Sequence, residues 1–350
     1  MRILPPAGRI LSQGERKLTV RCRLLFAAAA LALVTAACGR PAPIHPGGQS
    51  QPPPLAQPEA VAPAEPEPEP APSSAPKPVF RAGIWLDSRW AEPGVTDEAV
   101  DELVRDLAAR GITDLYVRAG SFRADGTLVL PEVTRVTALR RESERRGLRL
   151  WAWVPGLRHR MDFSARKTVD TAASSVVKLA AAGFDGVQLD LEPTPDDDAG
   201  YLALLEAVRG ALPKGKLLGV ATHLVRPHPP RAEWSADYFA EVARRVSQVA
   251  VMAYDTYAAA PEEFRSIVAY QTEIALDRSP AGTEVIIGVP TYEDRTERHT
   301  PETEPTWAGF AGVADGFRQA DLSGRVTGWA IYAHFTTSEA EWRLFADRPR

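Results

Sequence analysis

The stretch Gly183-Phe184-Asp185-Gly186-Val187-Gln188-Leu189-Asp190-Leu191-Glu192-Pro193 predicts a buried β-strand that ends in two carboxylates. Successive side chains of a strand point to opposite faces, so Gln188, Asp190 and Glu192 share one face and the apolar residues take the other. A buried polar face is costly unless it has partners or a function. Two acids at alternate positions of a strand end can have their pKa values pushed apart, so that one carboxyl holds a proton while the other stays charged.

On both sides of this strand, strand-like and helix-like runs alternate from Val79 to Arg350, which implies parallel strands joined by crossover helices. About 270 residues is the usual size of one (β/α)8 TIM barrel. The alternative is an open doubly wound sheet, and the even spacing of the repeats favours the closed barrel. The predicted strand and helix pairs are 82–87 and 97–110, 114–118 and 134–146, 148–154 and 168–182, 186–192 and 196–212, 216–222 and 235–245, 248–254 and 261–278, 284–289 and 307–320, and 327–332 and 338–345.

Residues 1–38 predict an export signal that resembles a bacterial lipoprotein signal. Arg21 and Arg23 precede a short apolar run, and small residues follow it up to Cys38. The run is shorter than the roughly 20 residues that a spanning helix needs. We expect Cys38 to be lipidated and to become the first residue of the mature chain. A long basic segment or an uncleaved membrane anchor is the alternative.

Residues 39–78 are rich in Pro, Ala and Glu and have few large apolar side chains, so they predict a disordered tether ahead of a domain at 79–350. Cys22 and Cys38 are the two cysteines of the chain, so we expect the folded domain to lack disulfides. A net charge of −4 argues against nucleic acid as a partner. We therefore expect a monomer anchored in the bacterial cell envelope, on the periplasmic side of the outer membrane or on the cell surface.

Active sites of such barrels lie at the C-terminal ends of the strands. These ends are rich in acids and aromatic residues, a combination that suits the polar groups and the C–H face of a sugar ring. No Ser-His-Asp arrangement, Gly-rich phosphate loop or histidine pair at metal spacing occurs, so we expect neither a metal nor a cofactor. The strand-end residues are Asp87, Arg118, Trp153, Asp190, Glu192, His223, Tyr254, Asp255, Tyr292 and Trp329.

Two of these segments carry a family resemblance. The run Asp185-Gly186-Val187-Gln188-Leu189-Asp190-Leu191-Glu192 resembles D-G-x-D-x-D-x-E, the fourth-strand signature of glycoside hydrolase family 18, the chitinase-like family. Met252-Ala253-Tyr254-Asp255 resembles the sixth-strand M-x-Y-D of that family. Trp329 falls where the family has a tryptophan that forms the floor of the sugar site.

The resemblance implies substrate-assisted retaining hydrolysis of a glycan that contains N-acetylhexosamine, either a chitin-like oligomer or peptidoglycan. It implies Glu192 as the general acid, Asp190 as the residue that orients the substrate's 2-acetamido group, and Tyr254 as a hydrogen-bond donor to that group. The remaining candidates for substrate binding are Asp255, Gln188, Trp329, Met252, Trp153 and His223. For Trp153 and His223 a structural role in the core is the alternative.

The sequence also departs from the family pattern. Gln188 stands where the family has Asp, and a glutamine can donate an amide hydrogen bond to Asp190 but cannot take up charge. We therefore expect activity with an altered pH dependence. The third strand, 150–156, lacks the family's S-x-G-G.

Other readings of the same residues stay open. A non-catalytic carbohydrate-binding protein and a structural envelope lipoprotein are the alternatives, and the presence of Glu192 with Asp190 favours the enzyme. The basic run Arg158-His159-Arg160 predicts a solvated loop, with contact to an anionic glycan as the alternative.

Overall fold

The computed structural model of the chain describes residues 76–130, 133–226 and 234–346, and for 133 and 134 the backbone only. The predicted signal peptide, the lipidation site at Cys38 and most of the predicted tether lie outside the described residues. Within them, no helix combines the length and the apolar character needed to cross a membrane.

The described residues form ten strands, eight of which are parallel and close into a barrel. β10 pairs with β1 from Val326 opposite Val79 to Ile331 opposite Ile84, and this pairing completes the ring. The closed (β/α)8 barrel is therefore confirmed over the doubly wound sheet. The strands are β1 (Val79–Leu86), β2 (Asp114–Arg118), β3 (Ser121–Phe122), β4 (Leu128–Val129), β5 (Arg149–Leu157), β6 (Gly186–Glu192), β7 (Leu217–Thr222), β8 (Gln248–Met252), β9 (Glu284–Pro290) and β10 (Val326–Tyr332).

One α-helix follows each barrel strand, as the alternating pattern predicts. Several helices start where a side chain accepts a hydrogen bond from a free backbone N–H of the first turn, for example Thr96 from Ala99 at 3.2 Å. The helices are α1 (Asp97–Ala109), α2 (Val133–Arg145), α3 (Arg166–Ala181), α4 (Ala199–Ala211), α5 (Ala236–Ala243), α6 (Pro261–Arg278), α7 (Thr306–Gln319) and α8 (Glu339–Ala346).

Two segments differ from the expectation. The helix predicted from Asp196 begins at Ala199, because the Asp198 carboxylate caps it by accepting a hydrogen bond from the Tyr201 N–H at 3.0 Å. The sequence analysis also missed the antiparallel hairpin of β3 and β4 between β2 and α2. Its turn is held by Asp125, which accepts hydrogen bonds from both the backbone and the hydroxyl of Thr127.

Aromatic side chains fill the inside of the barrel. The rings of Trp85 and Tyr116 lie 5.0 Å apart, and those of Tyr116 and Trp151 lie 5.8 Å apart. Neighbouring strands make room for them with glycine: a Cβ on Gly83 would lie 2.6 Å from Tyr116, and one on Gly186 would lie 2.4 Å from Trp151. Because these rings occupy the interior, the inside of the barrel is a packed core.

A layer of buried charges closes the opposite, N-terminal end of the barrel. Arg149 binds both carboxylate oxygens of Glu284 at 2.8 Å and one oxygen of Asp114 at 2.7 Å. Gln248 donates to Glu284 at 2.9 Å and accepts from the Tyr116 hydroxyl at 2.9 Å. The preceding chain enters at this end too, where the Pro76 carbonyl accepts a hydrogen bond from the N–H of Gly324.

Candidate active site

β6 carries its three polar side chains on the inner side of the barrel, as strand alternation predicts. Gln188 is fully buried, Asp190 is 7% exposed, and Glu192 at the strand end is partly exposed. Trp85 donates its indole N–H to Gln188 Oε1, and Trp153 donates its own to Asp190 Oδ2, both at 2.8 Å. Two indoles from β1 and β5 therefore fix the orientation of the polar face.

The carboxyl of Asp190 is the most strongly desolvated acid of this face. Its second oxygen, Oδ1, is buried and has no hydrogen-bond partner of ordinary geometry among the described residues. Burial raises the pKa of Asp190, although the Trp153 N–H, the Glu192 carboxyl and the nearby His223 and Arg118 each act to lower it. The site therefore favours a proton on, or shared with, Asp190 near Glu192.

Gln188 does not donate to Asp190 the amide hydrogen bond that its side chain could supply. Gln188 Nε2 is buried without a hydrogen-bond partner in the described part of the chain. Its Oε1 is committed to the indole of Trp85, which sets the amide plane and directs Nε2 elsewhere. Gln188 is thus a buried acceptor for a structural indole, and its effect on Asp190 is indirect.

The loops after β8 and β9 bring a third acid and two tyrosines to the same end. Tyr292 donates its hydroxyl to Asp255 Oδ1 at 2.6 Å, and the Tyr254 ring lies edge-on to Tyr292 at 6.0 Å. Burial raises the pKa of Tyr254 and of Tyr292 far above the ordinary value of 10. Both phenols therefore stay protonated and can act as hydrogen-bond donors throughout the neutral range.

A buried carboxylate that the sequence analysis missed holds this region from below. Glu304 is 2% exposed and accepts hydrogen bonds from the N–H of Asp255 at 2.9 Å and from the N–H and hydroxyl of Thr256 at 2.6 and 2.7 Å. His299 Nδ1 lies 2.9 Å from the same carboxylate. Asp255 has a φ of 56°, a left-handed conformation that is costly for a non-glycine residue, so Glu304 stabilises a strained backbone. Nothing in the polar run 293–305 marks one acid as buried.

Trp329 does not form the floor of the site, and that expectation is wrong. It is 1% exposed, and its ring packs against Phe310 of α7 at 5.0 Å and Phe345 of α8 at 4.4 Å. It therefore lies between the barrel and its helices. Alternation along β10 places Tyr332 on the inner side instead, where it stacks on Tyr254 at 5.3 Å and meets Trp153 edge-on at 6.1 Å.

The other predicted site residues lie at this end with differing exposure. Met252 and His223 line a small cavity of about 60 Å³ together with Glu192, Tyr254 and Asp255. His223 Nε2 accepts a hydrogen bond from the N–H of Thr194 at 3.1 Å, which orients its ring. Trp153 is 6% exposed, so it contacts the site mainly through its N–H on Asp190.

Asp87 and the basic run after β5 have local roles. Asp87 accepts a hydrogen bond from the Arg89 N–H at 3.2 Å in the turn after β1. Arg158 is not solvated, contrary to expectation, because both its Nε and its Nη2 bind the carboxylate of Asp198. Arg160 of the same run is exposed.

Glu192 and Asp190 also line a larger, open cavity of about 400 Å³ on the other side of Glu192. This volume lies in the range of small-molecule sites, roughly 300–1,000 Å³. Among the described residues, no group of three or more His, Cys, Asp or Glu side chains is placed to hold a metal ion. The arrangement offers a carboxyl at the edge of a cavity, a desolvated acid beside it and tyrosine donors behind it, and it can perform acid catalysis on a polar ligand.

The described residues form a closed barrel of eight parallel strands with one α-helix after each strand. Solved structures share this fold. A chitinase from Bacteroides thetaiotaomicron matches 77% of this chain and 94% of its own with a TM-score of 0.57 at 13% identity. A class V chitinase from Pseudomonas fluorescens matches 77% and 98%, with a TM-score of 0.56 at 14% identity.

The spore cortex-lytic enzyme SleL of Bacillus cereus also has this fold. It matches 77% of this chain and 74% of its own, with a TM-score of 0.53 at 14% identity. No family model and no curated protein sequence matches the chain. At such low identity these likenesses show a common fold.

Proposed function

We propose that the protein is a glycoside hydrolase that cleaves a glycan containing N-acetylhexosamine. The observation that carries this proposal is the pair formed by Asp190 and Glu192, which share the inner face of β6 and border an open cavity of about 400 Å³. The chitinase fold supports the same conclusion. The pair supports this reaction class, because a glycosidic bond breaks when its leaving oxygen is protonated.

Glu192 is the proposed proton donor. It is the more exposed of the two acids and lines cavities on both of its sides, so it can reach a glycosidic oxygen that lies across the strand end. A general acid needs a carboxyl that keeps its proton near neutral pH. The desolvated Asp190 beside it supports such a proton, because two adjacent carboxyls in a desolvated site share one proton and do not both ionise.

The nucleophile in this proposal is the substrate's own acetamido oxygen, which attacks the anomeric carbon as the leaving group departs. Asp190 accepts a hydrogen bond from the acetamido N–H through Oδ1, the oxygen that the described residues leave without a partner. Tyr254 donates to the acetamido oxygen, and its raised pKa keeps this donor protonated. Because Asp190 is assigned to the acetamido group and Gln188, the remaining polar residue of β6, carries no charge, this substrate-assisted route is favoured over attack by a carboxylate of β6.

A second candidate is a glycan-binding protein without catalysis, and Gln188 is the observation that favours it. A carboxyl at this position could exchange a proton with Asp190 during the reaction, whereas the amide cannot. Gln188 also donates no hydrogen bond to Asp190.

Hydrolysis of chromogenic N-acetylglucosamine oligomers and of purified peptidoglycan by the full-length chain tests the proposal. We expect Glu192→Gln to lower kcat by roughly 10²- to 10⁴-fold, because removing a general acid costs about that much. Retention of the β-anomer in the first product supports participation of the acetamido group. Binding of these glycans without cleavage by either protein identifies the second candidate instead.

We also propose that Cys38 anchors the protein in the bacterial cell envelope as a lipidated monomer. The order of basic, apolar and small residues before Cys38 supports this. Labelling cells with an alkyne fatty acid is expected to mark the wild type and to leave Cys38→Ser unmarked. An unlabelled wild type contradicts the proposal.

A further inference from the structure

Two arginines share the open cavity with the two acids. Arg118, at the end of β2, and Arg160, after β5, line the same cavity of about 400 Å³ as Asp190 and Glu192. Arg118 also lines an adjoining cavity of about 610 Å³ over the ends of β1 and β2, so it stands where the two cavities meet. Ser121 lines both cavities as well.

Both guanidinium groups are exposed and without a carboxylate partner within 4.0 Å in the described part of the chain. Arg118 lies over the ring of Trp153, with its Cζ 5.9 Å from the ring centroid. Arg158, in contrast, is locked by Asp198. The chain as a whole carries a net charge of −4, so two free cations beside the acid pair are a local feature of the cavity.

A guanidinium group presents a planar set of N–H donors that match the oxygens of a carboxylate. The wall of the same cavity also includes Leu157, which is 43% exposed, and Phe122 of the hairpin. This surface suits a sugar ring with a short aliphatic substituent that ends in an acid. We infer that the glycan carries a carboxylate substituent next to the cleaved bond, and that Arg118 and Arg160 bind it. This inference rests on the proposed glycosidase function.

The test compares one glycan with and without its charge. Oligomers of alternating N-acetylglucosamine and N-acetylmuramic acid are prepared with free lactyl carboxylates and with the same groups amidated, and hyaluronan oligomers supply a uronic acid carboxylate instead. Hydrogen bonds to charged groups contribute enough to change kcat/KM by roughly 10- to 100-fold. We expect kcat/KM to be higher by this factor for at least one of the two carboxylated glycans than for the amidated oligomer. The carboxylated glycan with the higher kcat/KM then shows whether the carboxylate is that of a lactyl group or of a uronic acid.

The variants Arg118→Gln and Arg160→Gln are expected to lower kcat/KM for the carboxylated oligomer about tenfold or more, and to lower it much less for the amidated one. Arg343→Gln, on the outer helix α8, removes an equal charge away from the cavity and serves as the control. Equal rates on charged and amidated glycans in the wild type overturn the inference. Equal losses on both glycans in the arginine variants also overturn it.

Glu192→Gln separates this inference from the proposed function. Its binding to the same oligomers is measured by calorimetry, where no cleavage is needed. Tighter binding of a carboxylated oligomer than of its amidated form, lost in Arg118→Gln/Glu192→Gln, supports the arginine subsite even if the wild type cleaves nothing. Equal binding of both forms overturns the subsite even if the wild type is a hydrolase.

Discussion

Asp190 is a buried carboxyl whose partners are incomplete, and this makes it costly to the fold. One oxygen accepts the indole N–H of Trp153, while the other has no partner of ordinary geometry among the described residues. A binding or catalytic site keeps such a group because the ligand supplies the missing donor. Stability is then lower in the free protein than it would be with a neutral side chain.

Replacing Asp190 with Asn is expected to stabilise the free protein at neutral pH. Burial raises the folded-state pKa of Asp190 above 3.8, so the folded state binds more protons than the unfolded state between these two values. The stability of the wild type therefore falls as pH rises through this window, while Asp190→Asn does not titrate. We expect the variant to gain roughly 0.5–2 kcal/mol in free energy of unfolding above the window and nothing below pH 3.8, and to lose activity.

Urea denaturation at several pH values measures this effect. Asp162→Asn is the control, because Asp162 is exposed and the hydroxyl and backbone N–H of Ser164 lower its pKa. Asp162→Asn is therefore expected to become less stable than the wild type as pH rises, which is the opposite of the trend for Asp190→Asn. A variant of Asp190 that is less stable than the wild type at neutral pH contradicts the assigned cost of burial.

In β10, neighbouring residues point to opposite sides of the strand, so a shift of one position moves a side chain from the outer core to the inside of the barrel. Ile331 and Trp329 point outward to the helices, while Ala330 and Tyr332 point inward. The family resemblance selected Trp329 by residue type, but alternation along the observed strand places it outside. Tyr332 takes the inner position, where it meets Trp153, the residue that donates a hydrogen bond to Asp190.

Trp329→Ala is therefore expected mainly to lower stability, and Tyr332→Ala mainly to change the kinetic constants. Trp329→Ala leaves a cavity between barrel and helices and should reduce the free energy of unfolding by about 3–5 kcal/mol, with KM unchanged in the folded protein. Tyr332→Ala removes a partly exposed ring beside Tyr254 and should raise KM or lower kcat with a smaller loss of stability. Thermal unfolding together with steady-state kinetics of both variants tests whether Trp329 belongs to the core and Tyr332 to the site. An intact KM in Tyr332→Ala combined with a raised KM in Trp329→Ala reverses the assignment.

The loop between β9 and α7 supports the site through Glu304. Glu304→Ala removes the acceptor of three hydrogen bonds from Asp255 and Thr256, and leaves these buried donors unpaired. We expect a loss of about 3 kcal/mol or more in the free energy of unfolding and a fall in kcat, because Asp255 loses its support. Glu302→Ala in the same loop is the matched control, since its exposed ion pair with Arg295 should contribute at most about 1 kcal/mol. Equal losses in the two variants contradict a specific role for Glu304.

At the scale of the whole molecule, the two ends of the barrel divide stability and chemistry between them. The N-terminal end holds a complete ionic layer around Arg149, while the C-terminal end holds acids with unfilled hydrogen-bonding capacity. The aromatic rings of the interior separate the two. A change at one end should therefore leave the other largely unaffected.

Arg149→Met tests this division. The substitution leaves Glu284 and Asp114 as buried acids without their cation, which is expected to cost about 3–5 kcal/mol in the free energy of unfolding. The kcat of the folded variant should stay within about twofold of the wild type. Arg166→Met, which breaks an exposed pair with Asp170 on α3, is the control and should change stability by less than about 1 kcal/mol. A large fall in kcat at a temperature where Arg149→Met is folded argues against independent ends.

The barrel and the position of the acid pair could be predicted because they depend on local patterns. The alternation of side chains along a strand places Asp190 and Glu192 on one face. The number of strands could be predicted from the regularly spaced apolar runs. The partners of these residues could not be predicted, since the indole of Trp153 reaches Asp190 only through the register of β5 with β6. Glu304 was missed for the same reason, because its burial depends on contacts between two loops distant in sequence.

The end of the barrel at which the chain enters limits how far the barrel can lie from a membrane that holds Cys38. Val79 opens β1 at the N-terminal face, beside Arg325 and the start of β10, so the preceding residues join the barrel on the side opposite to Glu192. If Cys38 holds the protein to a membrane as proposed, the residues between Cys38 and Val79 allow the N-terminal face of the barrel a distance of at most about 140 Å from that surface. The substrate is then a polymer that comes within this distance of the membrane, and shortening residues 39–75 should restrict cleavage to glycan strands nearer to it.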